Sequence, residues 1–171
     1  VVLTRIPGET VGLRERVKLA AKAGASLLIS IHHDSAQLKY LKKTIVSKKN
    51  VFTTTIPIRG FSLFVSQKNV KNIQSIKFAK YLGRELLLLG RKPTHHHAEN
   101  IKGENRLLIS PGLGIYSFNE LVILKEATMP AVLFEVGVLV DAEDEKYIND
   151  PKNKMNIATA VKKSVVNYMK P

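Results

Sequence analysis

The chain has 171 residues, a mass of 19.0 kDa and 44% apolar residues, which is the size of one domain with a continuous core. Its 27 Lys and Arg against 14 Asp and Glu give a net charge of +13, which attracts polyanions, but with 6% aromatic residues and no nucleic-acid-binding signature we expect no nucleic-acid partner. Zero cysteines exclude disulfides, thiolate metal ligands and a cysteine nucleophile, and no apolar run approaches the roughly 18 residues that cross a bilayer.

The first thirty residues predict a strand, a helix and a second strand. The β-branched run VVLT (1–4) is followed by Pro7 and Gly8, which suits a strand that enters a loop. Apolar residues then recur at helical spacing from Leu13 to Gly24. The segment SLLISI (26–31) is an almost unbroken apolar run, typical of a parallel strand buried on both faces. Together they predict a βαβ unit.

The middle of the chain predicts one strand and one long helix between two irregular segments. Residues 36–59 are lysine-rich and weakly periodic, so we expect a long surface loop. A strand is predicted over 60–66 (GFSLFVS) and a helix over about 70–89. The predicted buried face of this helix carries Ile73, Ile76, Ala79, Gly83, Leu86 and Leu87. Residues 91–114 contain two prolines and three glycines and are expected to be irregular.

The last third predicts a short helix over 118–127, a buried strand from about Ala131 and a final helix over about 153–169. Strands alternate with helices along the whole chain. This order predicts the α/β class, with a mostly parallel twisted sheet and helices on both faces, in a single domain over 1–171.

All five histidines lie in two clusters, His32 and His33 directly after an apolar strand and His95–His97 in the irregular segment. Ligands and catalytic groups of open α/β sheets gather at the carboxyl ends of strands, and His32 lies at such an end. A lone histidine after a strand is more often a hydrogen-bonded structural residue, so this alternative stays open. The run His95–His97 is as consistent with a solvated turn as with metal binding.

Glu135 is a single carboxylate inside the apolar strand VLFEVGVL. An ionised side chain there is costly unless it faces a metal, a cation or a water-filled cleft, although a structural pair with Lys or Arg would also satisfy it. Imidazole and carboxylate suit Zn²⁺, and a nearby glutamate can act as general base on zinc-bound water. His32 and Glu135 therefore predict a shared site.

Several segments resemble a known family in the order in which they occur: VVLTR (1–5), LRER (13–16), SIHHDS (30–35), GFSLFVS (60–66) and PAVLFEVGVLVDAEDE (130–145). The chain is similar to the zinc-dependent N-acetylmuramoyl-L-alanine amidases, and the likeness spans nearly its whole length. HHAENIKGENRLLI (96–109) resembles a branch of the family that carries HHDS where HAN is commoner. The resemblance implies hydrolysis of the amide bond between N-acetylmuramic acid and L-alanine of peptidoglycan.

Carried over to this sequence, the resemblance makes His32 a zinc ligand and Glu135 the catalytic glutamate. Asp34 falls where the commoner pattern has asparagine, so it would orient His32 or hold substrate. Arg106 would clamp a stem-peptide carboxylate, unless it forms an exposed structural salt bridge. The residues assigned to substrate or to support of the ligands are His33, Asp34, His97, Glu99 and Arg106.

One departure from the family pattern limits the implied site. Family members supply another His and a Glu from a strand and helix upstream of VVLTR, so we expect an N-terminally truncated catalytic domain. His97 or Glu99 would have to replace those ligands if the chain acts alone.

The resemblance also implies a setting: Zn²⁺ as cofactor, peptidoglycan as substrate, a partner protein that controls activity, a monomer, and a location in the periplasm or extracellular cell envelope. Two alternatives stay open. One is a catalytically inactive peptidoglycan-binding module on the same scaffold, and the other is a different zinc peptidase on a similar sheet.

Overall fold

The computed structural model describes residues 1–170 and contains a five-stranded sheet, a separate two-stranded hairpin and five helices. The strands of the main sheet are β1 (Leu28–Asp34), β4 (Ser62–Val65), β5 (Leu107–Ser110), β6 (Ile115–Ser117) and β7 (Ala131–Val138). The hairpin consists of β2 (Leu41–Val46) and β3 (Lys49–Thr54). The helices are α1 (Leu13–Lys22), α2 (Asn72–Leu88), α3 (Val122–Lys125), α4 (Ala142–Asn149) and α5 (Pro151–Met169). Within residues 1–170, no helix combines the length and the apolarity needed to cross a membrane.

The strand order in the sheet is β1-β7-β4-β6-β5. Parallel pairing joins β1 to β7 and β4 to β6, whereas β4 with β7 and β5 with β6 are antiparallel. The predicted α/β class is confirmed. In the β1–β7 pairing, His32 lies opposite Glu135.

The two faces of the sheet carry different cores. On one face α2 and α5 cover Val132, Phe134 and Val136 of β7. On the other face α1 and α3 pack over Leu28, Leu133 and Tyr116. Because side chains alternate along a strand, Glu135 lies on the same side of the sheet as Leu133, the side that α1 and α3 cover. We refer to this side of the sheet as the α1/α3 face.

Several predicted elements are confirmed with small shifts of their ends: α1, β1, β4, α2, β7 and α5. The predicted strand over 1–4 is wrong. Val1, Val2 and Leu3 are 62% or more exposed and belong to no strand. A β-branched run forms a strand only where a neighbouring backbone accepts its hydrogen bonds, and no ladder includes this segment.

The predicted loop over 36–59 is also wrong, because it contains the β2–β3 hairpin. Its two-residue turn places Ser47 and Lys48 at φ angles of 49° and 63°. Such turns usually carry Asn-Gly, and this sequence gives no such signal. The helix predicted over 118–127 shortens to one turn, since the Asn119 side chain accepts a hydrogen bond from the Gln67 backbone and holds the preceding residues extended. Sequence reasoning did not predict β5, β6 or α4.

A buried ion pair fixes the end of β7 against α4. Asp144 and Arg91 are 1% and 9% exposed at their side chains and form a salt bridge. The second Asp144 oxygen accepts from the backbone N–H groups of Gly60 and Val138, both at 2.8 Å. A Cβ at Gly137 would come within 3.0 Å of both charged groups, which explains the glycine after FEV.

Substituting Arg91→Met should lower the free energy of unfolding by about 3–5 kcal/mol, because it leaves the buried Asp144 carboxylate without its cation. The matched change Arg14→Met removes an exposed salt bridge to Glu126 and should cost less than about 1 kcal/mol. Urea denaturation of both variants measures the difference. Equal losses would show that the buried pair does not hold this part of the fold.

Candidate active site

The candidate site begins with the pairing of His32 and Glu135 on the α1/α3 face. In-register residues on neighbouring parallel strands point to the same side, at a spacing of about 4.8 Å between strands. Glu135 is half-buried, and its Oε2 atom is fully enclosed without a hydrogen-bond partner among the described residues. An enclosed carboxylate oxygen without a partner needs a proton, a water molecule or a cation.

The pKa of the Glu135 carboxyl group lies well above its ordinary value. Burial, followed by the negative charge of Asp34, raises the pKa of Glu135 to about 7, although the charge of His97 opposes the shift. A carboxyl group with this pKa exchanges a proton near neutral pH. This is the property that a general acid–base group requires.

His97 lies between two carboxylates. Its Nε2 atom is 2.7 Å from Asp34 Oδ2, and its Nδ1 atom is 2.9 Å from Glu104 Oε2. The ring packs edge-on against Phe64, at 4.9 Å between centroids. Burial alone would lower the pKa of His97, but the hydrogen bonds and charges of Asp34 and Glu104 outweigh it and raise the pKa. Both ring nitrogens of His97 thus face carboxylate oxygens, which favours the protonated ring while no metal ion is bound.

His96 has the opposite character, although it lies beside His97. Burial and then the charge of His97 lower the pKa of His96, so its ring is neutral. Its Nδ1 atom is 2.7 Å from Thr94 Oγ1, and Thr94 is held in turn by a Tyr116 hydroxyl that donates to its carbonyl at 2.8 Å. The enclosed Nε2 atom of His96 lies 3.4 Å from Asp34 Oδ2 without a hydrogen bond.

Asp34, His96 and His97 form the cluster best suited to a metal ion. One donor atom from each residue lies within 4.8 Å of the others. Imidazole nitrogen and carboxylate oxygen are ligands that zinc uses. The unpartnered Nε2 of His96 faces this position, and the Glu104 contact to His97 matches the carboxylate–histidine support common at metal centres. The residues present therefore fit a zinc ion, provided that His97 gives up the Nε2 proton that faces Asp34.

His32 stands apart from this cluster. It is solvent-accessible, and its Nε2 atom lies 3.1 Å from Ser30 Oγ. Partial desolvation, followed by the positive charge of Arg16, lowers the pKa of His32, so the ring is neutral and able to coordinate a metal. The structure brings His32 beside Glu135, but among residues 1–170 His32 belongs to no group of three potential metal ligands.

Three of the other predicted residues have separate surroundings. His33 points to the opposite face of the sheet, where it lines an apolar groove with Ile31. Glu99 accepts hydrogen bonds from the Tyr40 hydroxyl at 2.6 Å and Lys39 at 2.9 Å, outside the metal-binding cluster. Arg106 stacks on Phe118 with its guanidinium carbon 3.6 Å from the ring centroid.

Arg106 nevertheless supports the cluster through its backbone. Its N–H donates to the carbonyl of His97 at 2.7 Å, and its side chain donates to Gly103 at 2.9 Å. Among residues 1–170, no salt bridge engages the Arg106 guanidinium. One face of the guanidinium rests on an aromatic ring, which leaves its outer edge available to an anion.

Sequence reasoning assigned no role to His96 on its own and did not identify Glu104. The available signal was the spacing HHAENIKGE, in which Gly103 turns the chain so that the acid seven residues after His97 returns to it. Gly103 has a φ of 93°, which favours glycine. Gly103 can be recognised as the turn that brings Glu104 back to His97 only once the backbone between them is known.

Fold and site together define an α/β protein with a histidine–carboxylate centre on one face of its sheet. The chain belongs to the N-acetylmuramoyl-L-alanine amidase family, whose model matches residues 1–167. AmiA of Escherichia coli K12 is 25% identical over 188 residues, which cover 97% of this chain and 60% of AmiA. The chain thus spans about three fifths of that relative.

Solved amidase structures share the fold. Ami1 of Mycobacterium abscessus has a TM-score of 0.70 and 22% identity, covering 98% of this chain and 66% of Ami1. CwlD of Clostridioides difficile, solved in complex with the GerS lipoprotein, has a TM-score of 0.60 and 18% identity, covering 92% of this chain and 61% of CwlD. At these identities the likeness establishes the architecture alone.

Replacing Glu135 with Gln should stabilise the metal-free protein at high pH. The pKa of Glu135 is about 7 in the fold, above its ordinary value of 4.5. The native state therefore holds more protons between these pH values, and stability falls as pH rises through them. Glu135→Gln removes this penalty and should gain about 1–2 kcal/mol at pH 8, after a discount for partial exposure, and nothing at pH 4.

Urea denaturation with EDTA at both pH values measures this gain. Glu120→Gln is the matched control, because hydrogen bonds from Lys68 and then Lys125 lower the pKa of Glu120 at the surface. That change should bring no gain at pH 8. An equal effect of both substitutions would show that the Glu135 carboxyl is not shifted by its surroundings.

Proposed function

We propose that this chain carries the catalytic centre of a zinc-dependent peptidoglycan hydrolase that cleaves the amide bond between N-acetylmuramic acid and L-alanine. The observation that carries this proposal is the enclosed Glu135 carboxylate, in register with His32 and beside Asp34 and His97. Membership of the amidase family supports the choice of substrate bond.

Zinc, when bound, supplies Lewis acidity toward the scissile carbonyl and toward water. The residues of the described chain that would hold it are Asp34, His96 and His97. His32 remains the ligand that the family resemblance implies. Its neutral ring is suited to that role, but it would have to leave Ser30 to coordinate.

The role of Glu135 follows from its protonation near neutral pH. As a carboxylate it takes a proton from the attacking water, and as an acid it returns a proton to the departing L-alanine amine. Its low-polarity surroundings make the Glu135 carboxylate a stronger base toward that water, because they raise the energy of the charged form. Asp34 and Glu104 keep His97 fixed at the edge of the same site.

Arg106 is suited to bind a carboxylate of the stem peptide. Its guanidinium lies flat on Phe118, and its backbone is tied to His97. A planar guanidinium held in this way can donate two parallel hydrogen bonds to a carboxylate. Substrate anchored there would lie next to the cluster that holds the metal.

The setting that we propose is the cell envelope, in the periplasm or outside the cell, where peptidoglycan lies. The surface charge of the chain suits an anionic wall. The solved complex of CwlD with the GerS lipoprotein supports the proposal that this chain also binds a partner protein, and we propose that such a partner controls its activity.

Purified sacculi provide the direct test of activity. The chain with added zinc should release peptides with a free L-alanine amino end, and Glu135→Gln should reduce the rate by about 10²–10⁴-fold, as expected for loss of general acid–base catalysis. Circular dichroism checks that the variant remains folded. Products cleaved between amino acids would identify another zinc peptidase instead.

A matched control separates catalysis from binding. Glu143→Gln changes one glutamate at the exposed start of α4 and should leave the rate unchanged. Sedimentation of the chain onto sacculi without any product would favour a peptidoglycan-binding module. Activity that persists in Glu135→Gln would remove the proposed mechanism.

Zinc titration of single variants distinguishes the two ligand assignments. His96→Ala should weaken zinc binding by more than about tenfold, because it removes the unpartnered nitrogen that faces Asp34. His95→Ala is the matched control, since His95 is exposed and contacts the Pro111 carbonyl. A loss with His32→Ala and none with His96→Ala would assign the ion to the position implied by the family resemblance.

A further inference from the structure

The β2–β3 hairpin stands apart from the main sheet. Its strands pair only with each other, and nine of their twelve residues are exposed; the three half-buried residues, Leu41, Thr53 and Thr54, lie at the base. An isolated two-stranded hairpin is marginally stable in water, so its exposed faces suit a surface that covers them.

The base of the hairpin is fixed to the body of the protein, whereas its tip projects. The Thr54 N–H donates to the Val140 carbonyl at 2.8 Å, and the Tyr40 hydroxyl donates to Glu99 at 2.6 Å. Strands of six residues extend about 20 Å beyond this base. The tip therefore projects from a base that hydrogen bonds hold against the rest of the protein.

The projecting part combines positive charge with apolar side chains. Within residues 1–170, no salt bridge involves the lysines of the two strands and the turn, namely Lys42, Lys43, Lys48 and Lys49. No Asp or Glu occurs in the sequence between Asp34 and Glu85. Between these lysines, large apolar side chains are 37–71% exposed: Ile45, Val46, Val51 and Phe52.

We propose that this hairpin docks on the surface of a lipid bilayer that carries anionic headgroups. Lysines attract anionic lipid, and exposed Ile45 and Phe52, which lie on one face of the hairpin, can enter the boundary between headgroups and acyl chains. A soluble polyanion would engage the lysines but would gain nothing from the apolar residues. The combination therefore favours a bilayer, and this inference does not depend on the proposed hydrolysis.

Sedimentation with lipid vesicles tests the proposal. The chain should bind vesicles of equal parts phosphatidylglycerol and phosphatidylcholine, and not vesicles of phosphatidylcholine alone. Lys42→Gln with Lys43→Gln should weaken binding about 25-fold, taking about fivefold for each lysine. Lys162→Gln with Lys163→Gln removes the same charge from α5 and should change binding less than about twofold.

The apolar contribution has its own variants. Ile45→Thr with Phe52→Thr keeps residues that favour strands and should weaken binding to the anionic vesicles by about tenfold or more. Val70→Thr, at a residue that is 76% exposed outside the hairpin, should have no effect. If the Ile45 and Phe52 changes leave binding intact while the lysine changes abolish it, the hairpin binds polyanions and the bilayer proposal is wrong.

A fluorescent reporter measures insertion directly. The sequence contains no tryptophan, so Ile45→Trp places a single indole at a site that is 71% exposed. Its emission should shift to shorter wavelength with the anionic vesicles and stay unchanged with soluble polyphosphate. No shift with vesicles, or no sedimentation of the unaltered chain, would overturn the proposal.

Discussion

The parallel pairing of β1 with β7 is the constraint on which the site depends. It carries Leu28 to His32 along the backbone of Ala131 to Glu135 without a break, so the imidazole and the carboxylate meet at one level of the sheet. Apolar residues before Glu135 bury β7 on both faces. That burial supplies the hydrophobic free energy which offsets the cost of enclosing a carboxyl group.

Charge balance explains why the site is prepared for a cation. His97 neutralises only one of the two carboxylates that contact it, Asp34 and Glu104, so their sum is negative before Glu135 ionises. The nearby charge of Asp34 is one reason that Glu135 keeps its proton up to a pKa of about 7. A divalent cation beside these groups would compensate the charge and favour the carboxylate form of Glu135. Metal binding would therefore be coupled to release of a proton in this arrangement.

Sequence patterns could predict the strands that carry His32 and Glu135, because each is a long apolar run with one polar exception. Periodicity was less exact for α2, where the predicted stripe included Ile73 and Leu87, yet these are 79% and 40% exposed and Phe78 is fully buried. Helical spacing alone leaves the direction of the buried face uncertain by one position. The return of Glu104 to His97 could not be predicted, since it depends on a turn and on tertiary contacts rather than on a repeating pattern.

The hairpin and the site share a structural link through Glu99. This residue accepts hydrogen bonds from Lys39 and Tyr40 at the hairpin base, and it lies two positions after His97 in the same segment. The Glu99 carbonyl also accepts from the Asn105 N–H at 2.9 Å, next to Glu104. A surface that fixes the hairpin therefore also fixes the direction in which the cluster faces. A docked protein has lost rotational freedom before it meets its substrate. Docking of the hairpin would therefore favour hydrolysis of amide bonds that lie at one distance from the membrane.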